Sequence, residues 1–224
     1  MALLDKFKLD NQVAIVTGAG KGIGAAIARA FAEAGADVVL GARTESDLQK
    51  VADDIRAMGR RALVVPTDVL DFAQLQNLAD AALKEFGRID ILVNNAGGFP
   101  PKPVAHTTAQ QFEDAFRFNV STAFEMSRIC APIMAETSSN GNILNISSIA
   151  GHKPTPCFAA YGTAKGALSI LTQQLAQEFA PKVRVNAIAV GSTKTDALNK
   201  VLTPEVEQTM VDLTPMARLG VVED

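Results

Sequence analysis

The feature that most constrains this chain is the regular alternation of short β-branched runs with longer stretches of helical period. Strands are expected at Val13 to Thr17, Asp37 to Gly41, Ala62 to Val65, Ile89 to Asn94, Asn142 to Ser147 and Val183 to Val190. Helical periodicity fills the intervals: Gly22 to Ala34, about Ser46 to Met58, Phe72 to Phe86, Ala109 to about Glu136, and Phe158 to Phe179. Near-continuous apolar strands are the pattern of a parallel sheet covered by helices on both faces. Strand–helix alternation implies right-handed crossovers, and so an α/β, doubly wound parallel sheet of Rossmann type. With 224 residues, 48% of them hydrophobic, the chain can bury one sizeable core. No repeat, low-complexity tract or linker divides it, so a single domain over residues 1–224 is expected. The loop Gly97 to Pro103 falls inside the fold, where a strand hands over to a helix.

Thr17-Gly18-Ala19-Gly20-Lys21-Gly22-Ile23-Gly24 joins the first strand to the first helix. Glycines let backbone turn tightly and approach a pyrophosphate, whose charge a helix N-terminus favours. A G-x-G-x-x-[GA] pattern on its own says little. Here it sits between the first strand and helix of a βαβ unit, so a dinucleotide site is expected. NAD would call for an acidic residue near the end of the second strand, to accept from the ribose 2′-hydroxyl. Asp37 begins that strand and points away, while its far end carries Gly41-Ala42-Arg43-Thr44. A cation there suits a 2′-phosphate, and Lys21 can join it, so NADP(H) is the expected cofactor.

Composition narrows the other classes. Lys+Arg total 21 against 24 for Asp+Glu, a net charge of -3, and no segment is basic enough to suggest a nucleic-acid partner. Cys130 and Cys157 lack C-x-x-C or zinc-ligand spacing and read as free thiols. Charge interrupts the N-terminal stretch too early for a signal peptide, and no apolar run approaches the roughly 18 residues of a spanning helix. No membrane partner and a cytoplasmic location are the resulting expectations. His106 and His152 have no metal-ligand partners at useful spacing, so no metal site is expected. Phe112, Phe116 and Phe124 have near-helical spacing and read as core or subunit contact.

Over nearly its whole length the chain resembles the short-chain dehydrogenase/reductase family. The glycine turn matches as T-G-x-x-x-G-x-G through Thr17, Gly18, Gly22 and Gly24, with Ile23 between the last two. Asp68-Val69 is similar to the family's adenine-contacting pair, and Asn94-Asn95-Ala96-Gly97 to the segment that supports the sheet and borders the cofactor. Asn119 matches the catalytic Asn, and Tyr161-Gly162-Thr163-Ala164-Lys165 the Y-x-x-x-K motif. The family's catalytic Ser lies thirteen positions before the Tyr, which selects Ser148 over Ser147. The resemblance implies cofactor contacts for Gly191 and for Thr195, the latter to the nicotinamide carboxamide. It also implies a homo-oligomer, tetramer or dimer, acting on a small-molecule carbonyl or alcohol.

Residue chemistry supports the same roles. Tyr161 and Lys165 are four apart on a helix and share a face. A free tyrosine, with a pKa of about 10, shuttles protons poorly at neutral pH. A cation about 4 Å away is worth roughly 4 kcal/mol at an effective dielectric of 20, enough to lower that pKa by about three. Ser148 can donate to a substrate oxygen as charge develops there. Lys165 would also hold the nicotinamide ribose, and the resemblance gives Asn119 a water that relays protons to Lys165. Tyr161 is the only tyrosine in the chain.

Gly97 to Pro103, Thr195 to Leu198, Thr203 to Gln208, Thr214-Pro215 and Arg218 to Gly220 are similar to bacterial 7α-hydroxysteroid dehydrogenases within the family. Those using NAD carry Asp where this chain has Ala42. The implied reaction is hydride transfer between NADP(H) and a ketone or secondary alcohol, with a steroid-like substrate. Similar stretches occur in broad carbonyl reductases, which fit the same reading, and in 3-oxoacyl-carrier-protein reductases, which are the second. A non-catalytic binding or regulatory relative is the third, and the intact Asn119, Ser148, Tyr161, Lys165 set argues against it. Val190-Gly191 replaces the family's Pro-Gly, and the chain ends at Asp224, before the family's last helix and strand. The expectation is a truncated or weak-edged member, with Val183 to Val190 exposed at the sheet edge, where Val185, Ile188 and Val190 lose neighbours and aggregation or weak catalysis follows.

Overall fold

Strand β1 (Val13–Thr17) is buried along its whole length, because helices cover it from both sides. Its alternate side chains divide between two cores. Val13 and Ile15 join the layer that includes Leu75, Leu78, Met126, Ile129, Met134 and Leu175. Ala14 and Val16 join the layer of Ala25, Ala28, Leu48, Val51 and Ile55. The computed structural model describes residues 3–199 and 202–224, and Met1 and Ala2 of the N-terminal stretch lie outside them.

The remaining strands are β2 (Asp37–Ala42), β3 (Ala62–Pro66), β4 (Ile91–Asn94), β5 (Gly141–Ser148) and β6 (Val183–Val190). They form one parallel sheet in the order β3-β2-β1-β4-β5-β6. Helices α1 (Gly22–Glu33) and α2 (Glu45–Ala57) pack on one face. Helices α3 (Phe72–Phe86), α5 (Thr122–Thr137) and α6 (Ala159–Phe179) pack on the other. The order reverses between β1 and β4, and a doubly wound sheet binds ligands at the carboxyl ends of the strands at that switch point. No helix among the described residues is long and apolar enough to cross a membrane.

Several boundaries differ from the sequence expectation. Strand β4 starts at Ile91 rather than Ile89; just before it Asp90 N donates to Val13 O at 2.9 Å, while the Asp90 carboxylate accepts from Val13 N at 2.9 Å and takes two bonds from the Arg88 guanidinium. The expected helix from Ala109 is two helices, α4 (Ala109–Phe116) and α5, joined by a π-helical turn over Arg117–Ser121. One inserted residue barely alters the apolar period, so the sequence does not reveal it, and such turns often mark functional sites. Two further helices, α7 (Asp196–Asn199) and α8 (Pro204–Asp212), lie beyond β6. The start of α8 is capped: the Thr203 hydroxyl accepts from Val206 N at 3.3 Å and Pro204 opens the first turn.

Strand β6 is the edge of the described sheet, as expected, but only part of it loses cover. Val183 and Val185 are buried in the α6-side core, whereas Ile188 is 49% exposed. The expectation for Val185 is therefore corrected: the core beneath α6 covers that face whatever lies at the edge. Val190 pairs with Ser148 in the β5–β6 ladder, where a proline would have no N–H to offer. Phe112, Phe116 and Phe124 are 40%, 39% and 44% exposed, which removes the core alternative for that series.

Candidate active site

The carboxyl ends of β1, β4 and β5 bring the site's parts together. Gly18 and Gly22 adopt positive φ of 65° and 54°, which lets the turn after β1 double back beneath α1. At Gly24 a Cβ would stand 2.3 Å from Gly18 O and 2.5 Å from Asn95 Nδ2, so only glycine fits. The turn is then strapped to β4: Asn95 Nδ2 donates to Thr17 O at 2.9 Å and Gly18 O at 3.2 Å. Asn95 N and Ala96 N both donate to the Thr17 hydroxyl, at 3.0 and 3.1 Å. The side chain of Asn95 thus holds the turn's shape, which sequence reasoning placed beside the cofactor without identifying this work.

Lys21 is the N-cap of α1 and its side chain makes no capping bond, so the first amides of the helix are left to an incoming anion. A Cβ at Gly22 would lie 3.3 Å from Thr195 Cγ2, so the segment after β6 closes over the glycine turn with room only for backbone. Thr195 Oγ1 accepts from Leu198 N at 3.3 Å, which starts α7. Gly191 is exposed with nothing within 4 Å of where a Cβ would be, so its own surroundings do not demand glycine. Asp68 Oδ1 accepts from Leu70 N at 3.0 Å, and Val69 is buried in the core.

At the end of β2, Arg43 is exposed and has no ion pair among the described residues. Lys21 Nζ instead lies 3.0 Å from Asp47 Oδ2, a partner that the sequence reading did not anticipate. Asp37 behaves as expected at the opposite end of the strand, where Arg60 lies 2.8 Å away. These features, an uncapped helix N-terminus, a cradle that admits no side chain, and a cationic corner, fit a dinucleotide.

The second half of the site hangs on β5 and α6. Ser147 and Ser148 alternate across the strand, as the two-residue period requires. Ser147 Oγ turns inward to Lys165 O at 3.0 Å, whereas Ser148 reaches Tyr161 and also accepts from Ala150 N at 3.2 Å. Of the two serines, Ser148 is the one the structure brings to Tyr161. Lys165 is only 4% exposed, its Nζ donates to Ile146 O at 2.7 Å, and it lies 5.8 Å from the Tyr161 ring centre. Burial draws its pKa down to about 8.

Tyr161 corrects the electrostatic expectation. Its pKa is raised, because burial outweighs the opposing hydrogen bond with Ser148. The four-residue spacing does bring Lys165 alongside, but the ammonium is engaged by the Ile146 carbonyl and does not reverse the burial effect. At neutral pH the phenol is therefore protonated.

Asn119 sits in the π turn, 1% exposed. Its Oδ1 accepts from Gly98 N at 2.8 Å, while Nδ2 donates to Gly98 O at 3.1 Å and Ala115 O at 2.8 Å. The amide thus grips the loop after β4. Gly97 fits between it and Lys165: a Cβ there would stand 2.8 Å from Asn119 Oδ1 and 3.2 Å from Lys165 Nζ. Beneath these groups a buried polar chain ties β4 to β5 and α6, with Asn94 Nδ2 donating to Asn145 Oδ1 at 2.9 Å and Asn145 Nδ2 to Thr172 Oγ1 at 2.9 Å. Asn94 and Asn145 read as strand residues in the sequence, and only the sheet register reveals that they meet.

Comparison with known proteins agrees with this geometry. The short chain dehydrogenase family profile matches residues 12–205. The 7α-hydroxysteroid dehydrogenase of Escherichia coli K12 is 42% identical over 221 residues, covering 98% of this chain and 86% of that protein. An uncharacterized oxidoreductase of Mycobacterium tuberculosis is 48% identical over 97% of this chain and 83% of its own length. Among solved structures, a 7α-hydroxysteroid dehydrogenase complexed with NADH and 7-oxo glycochenodeoxycholic acid superposes with a TM-score of 0.95 at 40% identity, covering 100% of this chain and 87% of that one. An NAD+-bound xylitol dehydrogenase gives a TM-score of 0.89 at 33% identity, covering 96% and 89%.

Proposed function

The chain belongs to the short-chain dehydrogenase family of oxidoreductases, and from that premise we propose that it moves a hydride between NADP(H) and a ketone or secondary alcohol, with steroid-like molecules as the leading substrate class. The observation that carries this reading is the convergence of Ser148, Tyr161 and Lys165 beside the glycine turn, at the carboxyl ends of the strands. Similarity to a 7α-hydroxysteroid dehydrogenase supports the bulky substrate. For the phosphorylated cofactor the support is Ala42 and Arg43 at the end of β2, where no carboxylate occupies the strand end.

The first turn of α1 and the backbone of Gly18 to Gly24 would hold the pyrophosphate, Asp68 and Val69 the adenine, and Thr195 and Lys165 the nicotinamide end. Bound NADPH supplies the hydride. In reduction, Ser148 and Tyr161 donate hydrogen bonds to the substrate oxygen, and the Tyr161 proton passes to it as negative charge develops. A phenol held protonated by burial is suited to that donation. Lys165 offsets the charge left on the phenolate, and its buried position strengthens the effect by excluding water. Asn119 keeps the Gly97–Gly98 loop against Lys165, so the lysine is positioned from both sides. The reading further places the enzyme in the cytoplasm as a homo-oligomer.

Following absorbance at 340 nm with NADPH, and separately NADH, against ketosteroids, acyl thioesters and small diketones tests this. Turnover of ketosteroids with NADPH favoured is the expected result. Preference for acyl thioesters would move the assignment to an acyl-carrier-protein reductase, and no turnover of any carbonyl would overturn it.

A further inference from the structure

The proposed cofactor corner contains an anion. Lys21 Nζ lies 3.0 Å from Asp47 Oδ2, with the Asp47 side chain 15% exposed and that of Lys21 59%. Asp47 is set firmly into the wall. A Cβ at Gly20 would meet Asp47 Cβ at 3.2 Å and Ala42 Cβ at 3.9 Å, so glycine turn, strand end and Asp47 form one corner. Asp47 also belongs to the first turn of α2, where the helix dipole favours a carboxylate. The acid is therefore the fixed partner, and the long exposed lysine comes to it.

We propose that Asp47 is a specificity-determining residue for the nucleotide: by holding Lys21 in an internal ion pair, it reduces the preference for a 2′-phosphate over a 2′-hydroxyl. The inference rests on the NADP(H) reading of this corner. Arg43 and Lys21 supply two positive charges and Asp47 cancels one of them. A phosphate monoester carries about -1.5 to -2 at neutral pH, so it meets both a neutralised lysine and direct repulsion from the carboxylate. A 2′-hydroxyl has no charge to repel. The pair is half-open to water and therefore weak, so a phosphate can still recruit Lys21, but only by displacing Asp47. The structure thus describes a chain that accepts both nucleotides with a tempered preference, rather than one that excludes either.

Binding of adenosine 2′,5′-bisphosphate and adenosine 5′-monophosphate, measured by calorimetry on the whole chain, reads this corner without catalysis. Asp47→Asn keeps the side-chain shape and should tighten the bisphosphate on the order of three- to tenfold, while the monophosphate stays within about twofold. Lys21→Met should weaken the bisphosphate only about two- to threefold in the parent, and more in the Asp47→Asn background, because the lysine is free there. An unchanged or lower bisphosphate-to-monophosphate ratio in Asp47→Asn would overturn the proposal. Should that variant fail to fold, a loss of more than about tenfold from Lys21→Met alone would overturn it equally, since a lysine occupied by Asp47 cannot contribute that much. A parent that does not favour the bisphosphate refutes the NADP(H) reading instead, and a rise in the ratio on Asp47→Asn would still sustain the role of Asp47.

Discussion

Gly97→Ala tests how tightly the two halves of the site are coupled. The added methyl would stand 2.8 Å from Asn119 Oδ1 and 3.2 Å from Lys165 Nζ, where ordinary contact begins at 3.4 Å. Neither neighbour yields easily. Asn119 is held by three hydrogen bonds of 2.8 to 3.1 Å, and Lys165 Nζ by the Ile146 carbonyl at 2.7 Å. Overpacking of this kind costs about 1–3 kcal/mol, which at about 2–4 °C per kcal/mol for a domain of this size lowers Tm by roughly 2–12 °C. The effect on turnover should be larger, because displacing a catalytic group by about 1 Å costs up to roughly a hundredfold. Affinity for an adenosine monophosphate should change little, since the glycine turn is untouched. Thermal melts and steady-state turnover read both effects. Gly191→Ala is the control: its new Cβ meets nothing within 4 Å, so Tm should stay put. A Gly97→Ala variant with the parent's Tm and kcat would refute the packing argument.

Tyr161→Phe should lower kcat by at least about a hundredfold while binding NADPH almost as the parent does, and retained turnover would remove Tyr161 as the proton donor. Ala42→Asp with Arg43→Ala should raise the kcat/KM ratio of NADH to NADPH, because the new carboxylate repels a 2′-phosphate and accepts from a 2′-hydroxyl. A parent that already prefers NADH would show that the cationic corner does not select the phosphate. Lys165 predicts an alkaline effect on stability. Its pKa falls from 10.5 unfolded to about 8 folded, so between those values the unfolded chain binds more protons and stability rises with pH, by on the order of 3 kcal/mol over the full window. Lys165→Met should lack that rise, and parallel pH profiles of Tm for the two proteins would contradict it.

Much of this protein is local in origin and was therefore legible along the chain. Strand and helix alternation reflects which short segments can be covered on both faces, so the parallel sheet and its strands follow from periodicity, while the strand order and its switch point come from the pairing itself. The glycine turn is a property of eight consecutive residues, and Tyr161 and Lys165 meet because one helical turn separates them. What tertiary structure decided involves groups distant in the chain or a balance of opposing energies. Lys21 could be read as a free cation because nothing in its own segment shows that the first turn of α2 delivers Asp47 to it. The side chain of Asn95 was free to face a ligand until the β1–β4 pairing gave it Thr17 and Gly18. The π turn at Asn119 leaves the apolar period almost intact, so only the packed helix exposes it. Tyr161 shows the balance most clearly: spacing puts a lysine beside it, but the depth of burial sets the direction of its pKa, and burial is a property of the whole fold.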